Sequence, residues 1–483
     1  MELEQLLHKH FGYSSFRPGQ KEVIEALLQE QDVIALLPTG MGKSLCYQLP
    51  AYTLEKPVLI VSPLLSLMQD QVEELKRFGG EKRVVALNSF LSLTEKRYVL
   101  HYLEQYRFIF TSPPEMLLQQ QVQEKLAQMK LGLIVVDEAH CISQWGFDFR
   151  PDYLRIGDWL SRENRPPILA LSATATKKVV RDIRETLSLK APFEFMYNVD
   201  RPNIHLGRVV VEDKTDKARW LLHHVTETAG PGILYVSSRK RAQQYSEALL
   251  QAGVRVAAYH AGYGGAEDRQ FIQQQFIAGE LDWIVATNAF GMGINKLDIR
   301  QVIHESMPAN IANYMQEIGR AGRDGHSALA ILLYAEGDEE LAKFVVTGDL
   351  PTLHHVDRYQ ELLSQQIQPI QMLKNGELSE TAFRVLDYWL QRESSEQVKV
   401  RLNHLALEKY NAVNEMLQII QTKDCIREHL VGYFGQKLQK KPENCCENCG
   451  IHYDVIKKVR LKEKKKVEMA TWESRLQQLL MGN

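Results

Sequence analysis

The stretch Val33-Ile34-Ala35-Leu36-Leu37-Pro38-Thr39-Gly40-Met41-Gly42-Lys43-Ser44 decides how this chain is read. A short apolar run, the pattern of a buried strand, ends in a glycine-rich loop closed by Lys-Ser. Gly40 and Gly42 let the backbone curl and turn its N–H groups toward phosphate oxygens. With Thr39 they form the cradle, Lys43 supplies a mobile charge for the β- and γ-phosphates, and Ser44 offers a hydroxyl to Mg²⁺. One position departs from the general pattern, which has Gly or Ala where this chain has Leu37. About a hundred residues further on, Leu133-Ile134-Val135-Val136 leads into Asp137-Glu138-Ala139-His140. Carboxylates at the end of a buried strand complete a nucleoside-triphosphate site. Asp137 is expected to bind Mg²⁺ through water, and Glu138 to position or deprotonate the attacking water.

Outward from these motifs, residues 1–205 alternate apolar runs with helix-length segments such as Ser66 to Phe78. Strands are expected at Val33 to Leu37, Pro57 to Val61, Phe108 to Phe110, Leu133 to Val136 and Ile168 to Leu171. Continuous rather than alternating apolar runs imply strands covered on both faces, hence an α/β fold with a parallel sheet. The pattern recurs over 206–345, with strands at Gly232 to Val236, Val254 to Ala258, Trp283 to Ala286, Gln301 to His304 and Leu329 to Leu333. Asn198 to Asn203, with its Pro and Asn residues, is the expected linker. After about 346 strand-like runs vanish. Ser379 to Leu390 and Glu408 to Gln421 have the clearest helical periodicity, 457–466 is a basic run, and Trp472 to Leu480 reads as a short amphipathic helix.

The chain has 483 residues, room for roughly three domains at ~100–200 residues each. A formal net charge of −2 means that any nucleic-acid surface must be a local basic face. No apolar run reaches membrane-spanning length and the N-terminus lacks a secretory pattern, so a cytoplasmic protein without membrane contact is expected. Cys425, Cys445, Cys446 and Cys449 cluster near the C-terminus, which in a cytosolic protein suggests metal before disulfides.

Further motifs give these two α/β segments a family likeness. The chain resembles superfamily 2 helicases and is similar to the RecQ family of DNA helicases over about 1–345 and again over about 408–450. Phe11-Gly12-Tyr13 with Phe16-Arg17-Pro18-Gly19-Gln20 resembles the motif ahead of the phosphate loop, where the resemblance implies that Gln20 reads adenine beside Arg17. Ser62 to Gln71 resembles motif Ia and Thr111 to Glu115 motif Ib, implying contacts from Ser62 and Ser112 to the sugar-phosphate backbone. Ser172-Ala173-Thr174-Ala175 resembles motif III. Ser143 to Pro151 resembles the family's aromatic-rich loop. There Trp145 and Phe149 suit stacking on unpaired bases while Arg150 meets phosphate. Phe147 stands where the family commonly has His.

Ala286 to Lys296 resembles motif V, with Asn288 and Leu297 differing from the commonest family residues. Gln316 to Gly325 resembles motif VI. Gln316, Arg320 and Arg323 recur at helical spacing and are expected to share one face across the cleft from Lys43. Arg323 is the expected arginine finger and Arg320 the second choice. Tyr259-His260-Ala261-Gly262 resembles a nucleic-acid-contacting loop, with His260 as the contact.

Cys425 is placed late in an expected helix, and Cys445, Cys446 and Cys449 on a loop after Tyr433-Phe434-Gly435. Four thiolates suit tetrahedral Zn²⁺, and the resemblance implies a zinc module of this design. Adjacent Cys445 and Cys446 would need a local kink to point the same way. A rival set puts His452 in place of Cys445.

The expected architecture is therefore two tandem RecA-like domains, 1–205 and 206–345, a helical insertion at 346–407, a zinc-binding subdomain at 408–455, and a basic tail with a short helix at 456–483. About thirty residues follow Cys449, too few for the winged-helix and further helical domains of longer RecQ proteins. ATP, Mg²⁺ and Zn²⁺ are the expected cofactors. The expected activity is ATP-dependent DNA unwinding, with 3′-to-5′ movement implied by the resemblance, in recombination, repair or replication. The expected substrates are single-stranded DNA and duplex with a single-stranded tail. A single-stranded-DNA-binding protein is a candidate partner, and a monomer is expected. A DNA-stimulated translocase without unwinding and an RNA helicase are the alternatives.

Overall fold

The computed structural model describes residues 3–452 apart from 39, 64, 78–79, 89, 114–115, 117–118, 144–149, 161–164, 261, 263–264, 288–289 and 291–295. Thr39, Trp145, Phe147, Phe149, Asn288 and the tail from 453 therefore lie outside the described residues.

The first sheet is built from β1 (Val33–Leu36), β2 (Val58–Val61), β3 (Val84–Leu87), β4 (Phe108–Thr111), β5 (Leu133–Val136), β6 (Ile168–Ser172) and β7 (Phe193–Met196). Its seven strands run in the order β3-β4-β2-β5-β6-β1-β7, and every pairing is parallel. β1, β5 and β6 are buried at every position, as their unbroken apolar runs require. They are also neighbours, with Leu36 opposite Ser172 and Val136 opposite Ala170. The phosphate loop, the Asp137-Glu138 motif and motif III therefore leave the same sheet edge side by side, at the carboxyl ends where parallel sheets bind ligands.

The second sheet contains β8 (Ile204–Val211), β9 (Gly232–Tyr235), β10 (Val256–Tyr259), β11 (Trp283–Ala286), β12 (Gln301–His304) and β13 (Ala328–Ala335). It is again wholly parallel, in the order β10-β11-β9-β12-β13-β8. The sequence reading missed β3, β7 and β8 and set β10 two residues early. All four are edge strands. β8 begins before 206, so the boundary read there falls inside a strand.

Beyond the second sheet lie the helices Asp338–Thr347, Leu353–Ser364, Gln371–Lys374, Glu380–Leu390 and Ser395–Gln421. The last is 27 residues long, about 40 Å at 1.5 Å per residue. Its start is fixed by a reciprocal cap: the Ser394 hydroxyl accepts from the Gln397 N–H while the Gln397 amide oxygen accepts from the Ser394 N–H at 3.0 Å. The first half of this helix closes a separate small core, where Val398 and Leu402 meet Tyr359, Leu386 and Trp389. The second half puts Val413, Met416, Ile419 and Ile420 into the core of the second sheet. The boundary read at 407/408 thus falls inside one rigid helix. Among the described residues no helix is long and apolar enough to cross a membrane.

Candidate nucleotide cleft and zinc site

The phosphate loop turns through Gly40 and Gly42 at φ of +89° and +72°, a backbone region that side chains other than glycine rarely adopt. It leads into the helix Leu45–Leu54, with Ser44 at the N-cap position. Gln20, 3 % exposed, binds the loop itself: its amide nitrogen donates to the carbonyls of Met41 at 2.9 Å and Gly42 at 3.0 Å. Its amide oxygen accepts from the Arg17 N–H at 2.8 Å, and the Arg17 guanidinium donates to the Gly40 carbonyl. A Cβ at Gly42 would stand 2.8 Å from the Gln20 amide nitrogen, so glycine is needed there for space as well as for its φ. The residues expected to meet adenine are joined to the loop expected to meet phosphate.

Lys43 reaches toward Glu138, with Nζ 3.6 Å from Oε1. Glu138 takes a left-handed backbone, φ +48°, at the start of the short turn Ala139–Ile142, and its other carboxylate oxygen lies 3.4 Å from His140 Nδ1. That nitrogen is also 2.9 Å from the Ser172 hydroxyl, which donates to the Thr174 carbonyl at 3.0 Å. A continuous polar chain thus joins Glu138 to motif III. Burial and the adjacent Glu138 carboxylate push the Asp137 carboxyl up to about 6, with Lys43 opposing. Two buried carboxylates facing one lysine are short of positive charge, which suits a divalent cation.

The second domain supplies the opposite wall, with one correction. The helix Ile311–Ile318 stops at Gly319, so Arg320 and Arg323 lie in the turns beyond it rather than on a shared helical face with Gln316. Gly322, at φ +55°, continues the turn. Arg323 still reaches the phosphate loop: a Cβ at Gly40 would lie 3.5 Å from its Cγ. Burial, with Arg320 and Arg201 close by, pulls the Arg323 guanidinium down to about 9. Sequence reasoning missed Arg201, which sits in the linker and donates to the Gly322 carbonyl at 2.7 Å. An open space of about 550 Å³ adjoins the loop between the domains, lined among others by Pro38, Thr174, Arg201, Gln316 and Arg427.

Three of the expected DNA-contacting side chains are buried as arranged here. Ser62 is 0 % exposed and Ser112 9 %, directly after the buried ends of β2 and β4. His260 is likewise buried, at 8 %. As arranged here none of the three presents its side chain on the surface. Arg150 spends one guanidinium nitrogen on the Pro63 carbonyl at 2.9 Å, tying the end of the aromatic-rich segment to motif Ia.

The four clustered cysteines converge. Their sulfurs all lie within 4.8 Å of one another, with Cys425 at 3.6 Å from Cys445 and 4.0 Å from Cys446. Tetrahedral Zn–S bonds of 2.3 Å place sulfurs about 3.8 Å apart, so the set fits zinc. His452 is not in this cluster, and Cys445 is. Cys425 is not late in a helix: the long helix ends at Gln421, and Cys425 is the N-cap of the next one, Ile426–Tyr433. Cys446 is extended, and the chain turns just after it, in Glu447–Cys449. Burial acts to raise the Cys446 thiol, but Cys449 and the N–H groups of Ile426, Cys449 and Arg427 hold it below its ordinary value, while burial raises the thiols of Cys445 and Cys449.

Arg427, also missed, follows directly and clamps the linker. It is 2 % exposed and donates to the Asp200 carboxylate at 2.6 Å and to the carbonyls of Arg201, Ile204 and Cys445. Gln436 adds the Val199 N–H at 2.8 Å and the Tyr197 carbonyl at 3.1 Å.

Three family descriptions match the chain: DEAD/DEAH box helicase over 17–183, helicase conserved C-terminal domain over 215–325, and RecQ zinc-binding over 385–451. The chain is 40 % identical to the "Probable ATP-dependent DNA helicase RecS" of Bacillus subtilis (strain 168), an alignment covering 99 % of this chain and 98 % of that protein. It belongs to the RecQ family of ATP-dependent DNA helicases. The RecQ protein of Haemophilus influenzae is 36 % identical over 94 % of this chain, which spans 64 % of that longer relative. A solved structure of Mss116p bound to single-stranded RNA and AMP-PNP superposes with a TM-score of 0.59 at 17 % identity, covering 86 % of this chain and 89 % of that one. At that identity the likeness is one of fold: two RecA-like domains. As a RecQ-family protein with this cysteine cluster, the chain uses ATP and zinc.

Proposed function

We propose that this protein couples ATP hydrolysis to 3′-to-5′ movement along single-stranded DNA and to separation of the duplex ahead. The observation that carries the reading is the approach of Arg323 from the second domain to Gly40 of the phosphate loop, opposite Lys43, Asp137 and Glu138. ATP would sit between these walls. Lys43 and Arg323 would then face the same phosphates from two domains, and nucleotide binding would draw the domains together. Arg320, close enough to lower the Arg323 guanidinium, is the supporting cation.

Asp137 and the Ser44 hydroxyl would hold Mg²⁺, which when bound offsets phosphate charge. Glu138 is suited to orient and deprotonate the attacking water, since its carboxylate is already held by Lys43 and His140. The polar chain from His140 through Ser172 to Thr174 gives a route by which the state of Glu138 reaches motif III. Gln20 and Arg17, bonded to the loop, would link adenine binding to loop shape. Trp145, Phe149 and Arg150 are the proposed DNA-stacking and phosphate contacts. A monomer suffices for this cycle. A single-stranded-DNA-binding protein is the proposed partner at the freed strand.

The test is unwinding of a partial duplex carrying a 3′ tail, against a 5′-tailed control and a Glu138→Gln variant. Removing the general base is expected to slow ATP turnover by about 10²–10⁴-fold. Strand separation that needs both the 3′ tail and Glu138 supports the proposal. DNA-stimulated ATP turnover without separation would leave a translocase, and stimulation by RNA but not DNA would overturn the DNA reading.

A further inference from the structure

Among the described residues, the helix Glu380–Leu390 packs against the first-domain helix Pro151–Leu160, and the helix Ser395–Gln421 meets the first domain again where Glu408 pairs with Lys178 at 3.5 Å. Three ion pairs line the first of these contacts: Arg384 with Asp152 at 2.6 Å, Arg155 with Asp387 at 3.4 Å, and Arg392 with Asp158 at 2.8 Å. Leu154 is packed against both the core of the first domain and the core of the insertion. The Arg392 guanidinium lies 4.0 Å from the centre of the Tyr388 ring, and the Tyr359 hydroxyl donates to Asp387 at 2.9 Å, so the pairing side chains are themselves held in place.

Both ends of this contact lead to the engine. The residue after Asp152 is Tyr153, fully buried, whose hydroxyl donates to the Asp137 backbone carbonyl at 3.1 Å. Just before the helix, Arg150 donates to the motif Ia carbonyl of Pro63. On the other side, the insertion core shares the helix Ser395–Gln421, whose far end is buried in the second domain. The helix Ser395–Gln421 therefore joins the core of the second domain to the small core whose helix Glu380–Leu390 makes the charged contact, one residue away from the tyrosine that supports Asp137.

We propose that Arg384, Asp387 and Arg392 are positioning residues, and that through the helix Pro151–Leu160 they couple DNA occupancy to ATP turnover. Motion of the second domain moves the helix Ser395–Gln421. The ion pairs pass that motion to Tyr153 and so to the backbone that carries Asp137 and Glu138. Partly exposed pairs suit this role, because water and salt let them slide or re-form at small cost. A wholly apolar contact would have to break.

This inference rests on the helicase reading above, and the experiment separates the two. In the full-length zinc-loaded protein, ATP turnover is measured with and without single-stranded DNA for wild type, for Arg384→Glu combined with Arg392→Glu, for Tyr153→Phe, and for the reciprocal pair Asp152→Arg with Arg384→Asp. DNA affinity and melting temperature are followed in parallel. In the double charge reversal we expect DNA-free turnover within about twofold of wild type, unchanged DNA affinity, and a DNA-stimulated kcat lower by about tenfold. Tyr153→Phe should also lower the DNA-stimulated kcat, and the reciprocal pair, which re-forms the Asp152–Arg384 contact with its charges exchanged, should keep most of the wild-type stimulation. A DNA-stimulated kcat equal to wild type in the charge reversal would overturn the proposal. So would a loss that follows the melting temperature and appears equally in the reciprocal pair, which would make the contact structural only. Wild-type protein whose turnover ignores DNA would overturn the helicase reading instead.

Discussion

The nucleotide cleft and the linker clamp beside it bury similar charges and treat them in opposite ways. In the clamp, the Arg427 guanidinium meets the Asp200 carboxylate and three backbone carbonyls. In the cleft, Lys43 Nζ is buried with no hydrogen-bond partner among the described residues, 3.6 Å from Glu138. There Asp137 is pushed up to about 6 and Arg323 pulled down to about 9. The clamp sets one guanidinium against one carboxylate, whereas in the cleft two carboxylates crowd Lys43 and Arg323 lies beside two other arginines, an imbalance that a ligand bringing phosphate and a cation would relieve. Buried charge left uncompensated is costly, and it persists where binding relieves it.

If that contrast is right, truncation should hit activity in one region and stability in the other. The largest effect is expected for Arg323→Ala, a loss of about 10³-fold or more in ATP kcat, the scale of an arginine finger. Its melting temperature should stay level or rise, since the substitution relieves repulsion from Arg320 and Arg201. Steady-state kinetics together with a thermal melt check both halves. A variant that unfolds while its residual kcat is normal would place Arg323 on the clamp's side of the comparison.

Arg427→Met should do the reverse. Removing one partner of a buried pair costs about 3–5 kcal/mol, because Asp200 is left buried and unpaired. Urea denaturation should show this as a lower midpoint, and zinc should be lost at lower denaturant, since Arg427 also donates to the Cys445 carbonyl. ATP binding measured below the transition should change little. A normal midpoint would mean that Asp200 is solvated, and the contrast with the cleft would fail.

The same difference governs how much could be read from the sequence. The cleft was legible because its chemistry demands particular residues in a row: Gly40 and Gly42 for the loop, Lys43 after them, and two carboxylates at a strand end. Central strands were legible too, since burial on both faces leaves an unbroken apolar run. Edge strands were not. β7 reads Phe193-Glu194-Phe195-Met196 and is only partly buried, so its signal is weak. Motif VI misled because its spacing looks helical, while the helix stops at Ile318, before either arginine, and Gly322 turns the chain between them. Ser62, Ser112 and His260 are placed by motif position, which carries no information on how buried each side chain is. Arg201, Arg427 and the ion pairs around the helix Glu380–Leu390 were invisible for a simpler reason. Their partners lie from 118 to more than 200 residues away in the chain, and no local pattern marks such a pairing.

Asp70 tests where the line between the two kinds of buried charge falls, and its effect should be the smallest. It sits in the helix Leu65–Arg77, half-buried, and is pushed up to about 6 by burial and by Glu73, while Gln273 of the second domain opposes by hydrogen bonding to it. An acid whose pKa is raised by folding favours the protonated form in the native state. Its contribution to stability is therefore present below about 3.8 and lost as the pH climbs through about 6. Asp70→Asn keeps an acceptor for Gln273 and removes the titration. The variant should match wild type near pH 4 and be the more stable of the two near pH 7, by about 1 kcal/mol once its contact with water is allowed for. Urea midpoints at the two pH values check this. If the gain at neutral pH comes with slower DNA-stimulated turnover, then Asp70 belongs with the strained charges of the cleft. If turnover is unchanged, the carboxylate is only an imperfect contact between domains, and strain of this size is no mark of function.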